Sequence, residues 1–162
     1  MNFYDVIARG YDELYKEEQL KKIKLIKKYL DIRLKDKLLD VGCGTGLTTT
    51  LWKCKRYGID PSKKLLERAK QRGNIIYKQA YAEKIPYQDN FFDIVISITA
   101  IQNFYNIEKG LKEIKRVGKD RFVLTFLKKT GKKEKIEKLI KKYFKVEEKI
   151  EEEKDIIFIT KK

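Results

Sequence analysis

Between Leu38 and Trp52 the chain reads LLDVGCGTGLTTTLW, with glycines at 42, 44 and 46 directly after an apolar run that ends in Asp40. Glycine has no Cβ, so a turn built this way lets main chain lie against a ligand. A helix starting behind the turn would add free N–H groups for an anionic part of that ligand. A second acid, Asp60, follows 20 residues after Asp40 at the end of a second expected strand, KRYGID (55–60). That interval lets a carboxylate reach a ribose, where it accepts two hydroxyl hydrogen bonds. Asp60 has an alternative use as a cap for the helix expected from Pro61. Spacing separates the ligand classes. A dinucleotide turn needs G-x-G-x-x-G, yet Leu47 stands three residues after Gly44, and the Gly-Lys-Ser/Thr of a phosphate-binding loop is absent. G-x-G-x-G favours a nucleoside without a pyrophosphate.

The rest of the composition narrows the chemistry. The 162 residues contain no histidine, which removes the commonest general base and metal ligand together. Cys43 and Cys54 make neither a disulfide framework nor a metal-ligand spacing, so no metal is expected. No apolar run approaches the ~20 residues that span a bilayer, and the first residues lack the pattern of a secretory signal. A cytoplasmic protein without a membrane partner is the expectation. Against 24 Asp and Glu stand 39 Lys and Arg, a formal charge of +15. Such a field attracts nucleic acid. The alternative is a thermophile-like, Lys- and Glu-rich composition whose charged faces are merely solvated.

Helical spacing runs over 12–30, with apolar Leu14, Leu20, Ile23, Ile26 and Leu30 between lysines. Strands are expected at 37–41, 55–60, 74–79, 91–100 and 120–127. Helices are expected at 45–53, 61–73, 107–117 and 131–144, and residues 145–160 read as a closing antiparallel pair. Pro61 falls in the first turn of its helix and Gly73 at the end. The alternation predicts one α/β domain over 1–162: a Rossmann-like, mostly parallel sheet with helices on both faces and a C-terminal antiparallel hairpin. Ligands of such sheets bind beyond the carboxyl ends of the strands, where the glycine run lies.

The motifs resemble, in order, those of class I (Rossmann-like, seven-stranded) S-adenosylmethionine-dependent methyltransferases, in their ubiquinone/menaquinone-biosynthesis-like (type 11) branch. LLDVGCGTG (38–46) looks like the first motif and YGIDPS (57–62) like the second. QAYAEKIPYQDNFFDIVIS (79–97) resembles the third and fourth, and the likeness runs from Tyr4 to Leu124. It implies S-adenosyl-L-methionine as cofactor and S-adenosyl-L-homocysteine as product. On matching positions it implies a cofactor site of Asp40, Gly42, Cys43, Gly44, Gly46, Asp60, Pro61, Tyr81, Ala82, Glu83 and Ser97. Asp60 would hold the ribose hydroxyls, Asp40 would face the methionine amine, and the Ala82 N–H would meet the adenine ring. FYDVIARGYDELY (3–15) resembles the branch's N-terminal segment, so residues 1–30 are expected to form a helical lid. Tyr11 would face the cofactor, with Tyr4 and Arg9 towards the substrate. An aromatic face near the sulfonium would make a cation–π contact, and closure would exclude water. The alternative is a packed helix stripe of Phe3, Ile7 and Tyr11.

Two positions depart from the family pattern. Tyr81 replaces a common aspartate at the adenine edge, and Gln102 and Asn103 stand where many relatives have a histidine pair. These amides position a substrate but do not act as a strong base, so no catalytic residue is assigned. Ser97-Ile98-Thr99-Ala100 lacks the Asn/Asp-Pro-Pro-Tyr/Phe signature for amino groups of bases and glutamine, and neither cysteine suits cytosine-C5 chemistry. The acceptor expected is RNA or a translation component, met through lysines at 21–28 and 128–142, with a small activator subunit as partner. The alternatives are a small metabolite as acceptor, or a non-catalytic module that binds cofactor and partner.

Overall fold

The computed structural model describes the backbone of residues 3–162 and the side chains of residues 13–162. The chain divides into two units, Met1–Asp31 and Ile32–Lys162. Among the described residues the first carries the helix α1 (Phe3–Ile26), which starts earlier and stops sooner than the apolar spacing predicts. The side chains of Tyr4, Arg9 and Tyr11 lie outside the described residues.

The second unit is built on a seven-stranded sheet in the order β3-β2-β1-β4-β5-β7-β6. β1 (Lys37–Val41), β2 (Lys55–Asp60), β3 (Ile76–Gln79) and β4 (Phe92–Ser97) run parallel with β5 (Gly118–Leu127). β6 (Lys145–Glu151) and β7 (Asp155–Lys161) form the antiparallel hairpin, and β7 pairs along the whole of β5. The predicted fold class is the one observed. β1 and β4 are central, and Leu38, Leu39, Ile94, Val95 and Ile96 have no exposed surface on either face. A strand buried on both sides needs this uninterrupted apolar character.

Three helices connect the strands: α2 (Lys63–Ala69), α3 (Ile107–Val117) and α4 (Lys133–Tyr143). Right-handed crossovers send α2, which serves strands added on one side of β1, and α3, which serves those on the other, to opposite faces. α3 buries Ile107, Leu111, Ile114 and Val117 at helical spacing, and Asn106 caps it by accepting the Lys109 N–H at 3.0 Å. It also anchors the long loop before β4. Glu113 accepts the Ile85 N–H at 3.0 Å, while Arg116 donates to the carbonyls of Ile85 and Tyr87, each at 2.9 Å.

The helix expected over 45–53 is not there. Only a single 3-10 turn, Thr49–Leu51, lies between β1 and β2. Three consecutive threonines account for this: β-branching disfavours helix, and hydroxyls that find other partners compete with it. Thr48 and Thr49 donate to Asp40 and Thr50 to the Leu47 carbonyl. Pro61 also lies outside its helix, because Ser62 is the cap and its Oγ accepts the Leu65 N–H at 3.2 Å.

Beneath the 80–91 loop, the rings of Tyr57, Tyr87, Phe91 and Phe92 meet at centroid distances of 4.9 to 5.8 Å, and Phe92 is wholly buried. Phe92→Ala is expected to lower stability by about 3–5 kcal/mol, read as a shifted midpoint in urea unfolding.

Candidate cofactor site

The carboxyl end of β1 turns sharply because Gly42, Gly44 and Gly46 all take positive φ, at 77°, 54° and 78°. The N–H groups of Gly42 and Cys43 both donate to the Ile59 carbonyl, at 2.9 and 3.0 Å, pinning the turn to β2. The three glycines serve different ends. A Cβ on Gly42 would stand 2.6 Å from the Ala100 Cβ, and one on Gly46 would run into the Tyr77 hydroxyl. Those two make room for protein. A Cβ on Gly44 would meet nothing within 4 Å, so this glycine leaves an open cradle.

Asp60, at the end of β2, is buried and uses both oxygens. Its Oδ2 accepts the Gly44 N–H at 2.9 Å, and its Oδ1 accepts the Ser62 N–H at 2.8 Å. The carboxylate thus ties the glycine turn to the loop entering α2, and the capping role is taken by Ser62. A carboxylate offers about four lone-pair sites, so two remain. Asp40 is buried deeper. Its Oδ2 accepts hydroxyl hydrogen bonds from Thr48 and Thr49, each at 2.8 Å, while its Oδ1 is buried without a partner. Burial pushes its pKa up to about 6, against the two threonine bonds that pull it down and with a smaller push from Asp60.

The remaining predicted residues sort clearly. Cys43 is buried and its thiol is pushed far above the ordinary range by that burial, which suits packing and not nucleophilic attack. Ser97 is fully buried and its Oγ donates to the Val41 carbonyl at 2.9 Å, so it fastens β4 to β1. Pro61 is exposed. Ala82 is buried, and Glu83 Oε1 accepts the Asn106 N–H at 2.9 Å, joining the loops after β3 and β4. Tyr81 is half-exposed, its ring 5.5 Å from that of Tyr105. Gln102 is buried and donates Nε2 to the Thr99 carbonyl at 2.9 Å, whereas Asn103 is exposed.

Sequence reasoning missed Thr48 and Thr49 as the clamp on Asp40, though a run of three threonines after the turn was the available signal. It also missed Tyr77, which lies against both Gly46 and Gly58. Its pKa is pushed up to about 12, by burial first. Among the described residues no group of three His, Cys, Asp or Glu could hold a metal ion, and no helix is long and apolar enough to cross a membrane.

Residues 39–125 match the family model described as "Methyltransferase domain". The uncharacterized protein MJ1252 of Methanocaldococcus jannaschii is 33% identical over 76% of this chain and 49% of its own. The demethylmenaquinone methyltransferase of Chlorobaculum tepidum is 32% identical over 69% of this chain and 47% of its own. The chain thus spans about half the length of these curated relatives. Among solved structures, the PH0226 protein of Pyrococcus horikoshii superposes with a TM-score of 0.81 at 21% identity, covering 91% of this chain and 90% of that one. A second is a chain of the complex between the Haloferax volcanii Trm112 methyltransferase activator and a methyltransferase. It superposes at 0.79 with 14% identity, covering 95% and 94%.

The two carboxylates and the open glycine give two expectations. Folded Asp40 holds its proton up to about pH 6, against an ordinary value of 3.8. Stability therefore falls as pH rises between those values, and the full cost, roughly 2–3 kcal/mol, persists above them. Asp40→Asn should lack this contribution, so urea midpoints should show the variant gaining on the wild type from pH 4 to pH 7. Gly44→Ala should cost only about 1–2 kcal/mol in folding, the strain of a left-handed alanine, while filling the cradle and abolishing ligand binding in calorimetry.

Proposed function

The chain belongs to the methyltransferase domain family, and we propose that it transfers a methyl group from S-adenosylmethionine to RNA or another component of translation. The observation that carries the cofactor assignment is Gly44, which faces open space and gives its N–H to the buried carboxylate of Asp60. The spare lone pairs of Asp60 suit the ribose hydroxyls, and the unpartnered Asp40 Oδ1 suits the methionine amine. The loop of Tyr81, Ala82 and Glu83 would take the adenine edge.

S-adenosylmethionine, when bound, brings a methyl group already activated on a sulfonium. The chain's own task is alignment in a dry site, which needs no histidine. Asp60 pre-shapes the turn by holding the Gly44 and Ser62 N–H groups before any ligand arrives. Gln102, held by its bond to the Thr99 carbonyl, and Asn103 beside it follow β4 and would orient the acceptor.

The charge of +15 supports an RNA acceptor. Similarity in fold to the methyltransferase of an activator complex supports a small activator subunit as partner. A cytoplasmic place of action accords with both. The second reading, a small aromatic metabolite, is favoured by similarity to a demethylmenaquinone methyltransferase. The exposed rings of Tyr81 and Tyr105 would offer a planar acceptor a stacking surface.

Incubation with tritiated S-adenosylmethionine and fractionated RNA, protein and small molecules separates these readings. Label in RNA, with an affinity for tRNA or rRNA that falls steeply with salt, is the expected result. Label confined to small molecules would move the acceptor to the second reading, and tight binding without any transfer would leave a cofactor-binding module. Asp60→Ala is expected to weaken S-adenosylhomocysteine binding by about 2–4 kcal/mol in calorimetry; unchanged affinity would take Asp60 out of the site.

A further inference from the structure

We propose that Asp155, on the C-terminal hairpin, is a positioning residue for the cofactor site, holding the turn after β4 against the glycine turn through Thr99. The inference rests on the cofactor assignment above. Its starting point is a backbone outlier: Thr99 has φ +55°, a left-handed conformation that β-branched residues rarely adopt. Such conformations persist where surrounding groups over-determine them.

The surrounding groups form a buried set. Thr99 Oγ1 donates to Asp155 Oδ2 at 2.6 Å, and Thr125 Oγ1 donates to the same oxygen at 2.8 Å. The Thr99 N–H in turn donates to Thr125 Oγ1 at 2.8 Å. Asp155 and Thr125 have no exposed surface. Topology puts Asp155 there. β7 runs antiparallel to the rest of the sheet, so its first residue lies at the carboxyl edge where the parallel strands end. Reciprocal bonds close the turn that delivers it, with the Asp155 N–H on Glu152 Oε2 at 3.0 Å and the Glu152 N–H on the Asp155 carbonyl at 2.9 Å.

What Thr99 controls is next to the cofactor turn. Its successor Ala100 occupies the space that a Cβ on Gly42 would need, and its carbonyl holds the Gln102 side chain at 2.9 Å. Releasing Thr99 from the left-handed region would swing Ala100 off Gly42 and carry Gln102 with it. Burying a carboxylate also costs stability that an apolar residue would not, so a role in geometry explains the residue better than a role in stability.

Titration of the full chain with S-adenosylhomocysteine in a calorimeter, far below each variant's melting temperature, tests the proposal. Asp155→Ala should weaken binding by about tenfold or more, as displacement of a positioned turn does, with an unchanged circular dichroism spectrum. Adding Thr99→Gly to Asp155→Ala should restore most of the loss, because glycine holds the left-handed conformation without an anchor. A purely structural role would lower the melting temperature and leave affinity alone. Affinity within about twofold of wild type for Asp155→Ala, or no recovery in the double variant, would overturn the proposal. If Asp155→Ala does not fold, Thr99→Val, which keeps the shape and loses the hydroxyl, is expected to weaken binding likewise, and wild-type affinity in it overturns the proposal. A wild-type chain that binds neither S-adenosylmethionine nor S-adenosylhomocysteine would remove the underlying assignment, a result distinct from all of these.

Discussion

One carboxylate sets the shape of the site. Asp60 bonds a main-chain N–H on each side of itself, Gly44 from the β1 turn and Ser62 from the entry to α2. Neighbouring parallel strands fix where their ends lie, but not how the loops beyond them fold. Asp60 supplies that missing constraint, and charge-assisted bonds to N–H groups are among the stronger ones available. With no helix between β1 and β2, the donors that a helix N-terminus would have offered are absent from this turn. The glycine turn instead hangs between Asp60, the Ile59 carbonyl and the threonines that grip Asp40.

The two acids divide the labour by depth. Asp60 is held by backbone donors, one on each oxygen, and keeps a spare lone pair on both. Asp40 has donors on one oxygen only and is buried on the other, which is why burial lifts its pKa. A cation placed at Asp40 Oδ1 would relieve that cost directly.

Much of this was legible in the residues. Uninterrupted apolar runs announced the central strands, because burial on two faces leaves no room for alternation, and the 20-residue interval between Asp40 and Asp60 located both strand ends. The glycine spacing pointed to the turn but not to the division among its members, since that depends on Ala100, in the turn after β4, and Tyr77, in β3, both far off in sequence. The false helix at 45–53 came from reading the usual strand-then-helix alternation into a stretch whose threonines had other partners. Asp155 gave no signal at all. It opens an apolar strand and looks like a hairpin residue until the antiparallel direction of β7 is known.

That direction has a consequence for biosynthesis. While the ribosome is still extending the chain, β5 has β4 on one side and nothing on the other, and its buried Phe122, Leu124 and Phe126 await the strand that will pair with them. An unpaired apolar edge is an invitation to aggregation. The nascent protein stays vulnerable until β7 emerges and zips along β5, and the same late event that seals this edge brings the final carboxylate under Thr99.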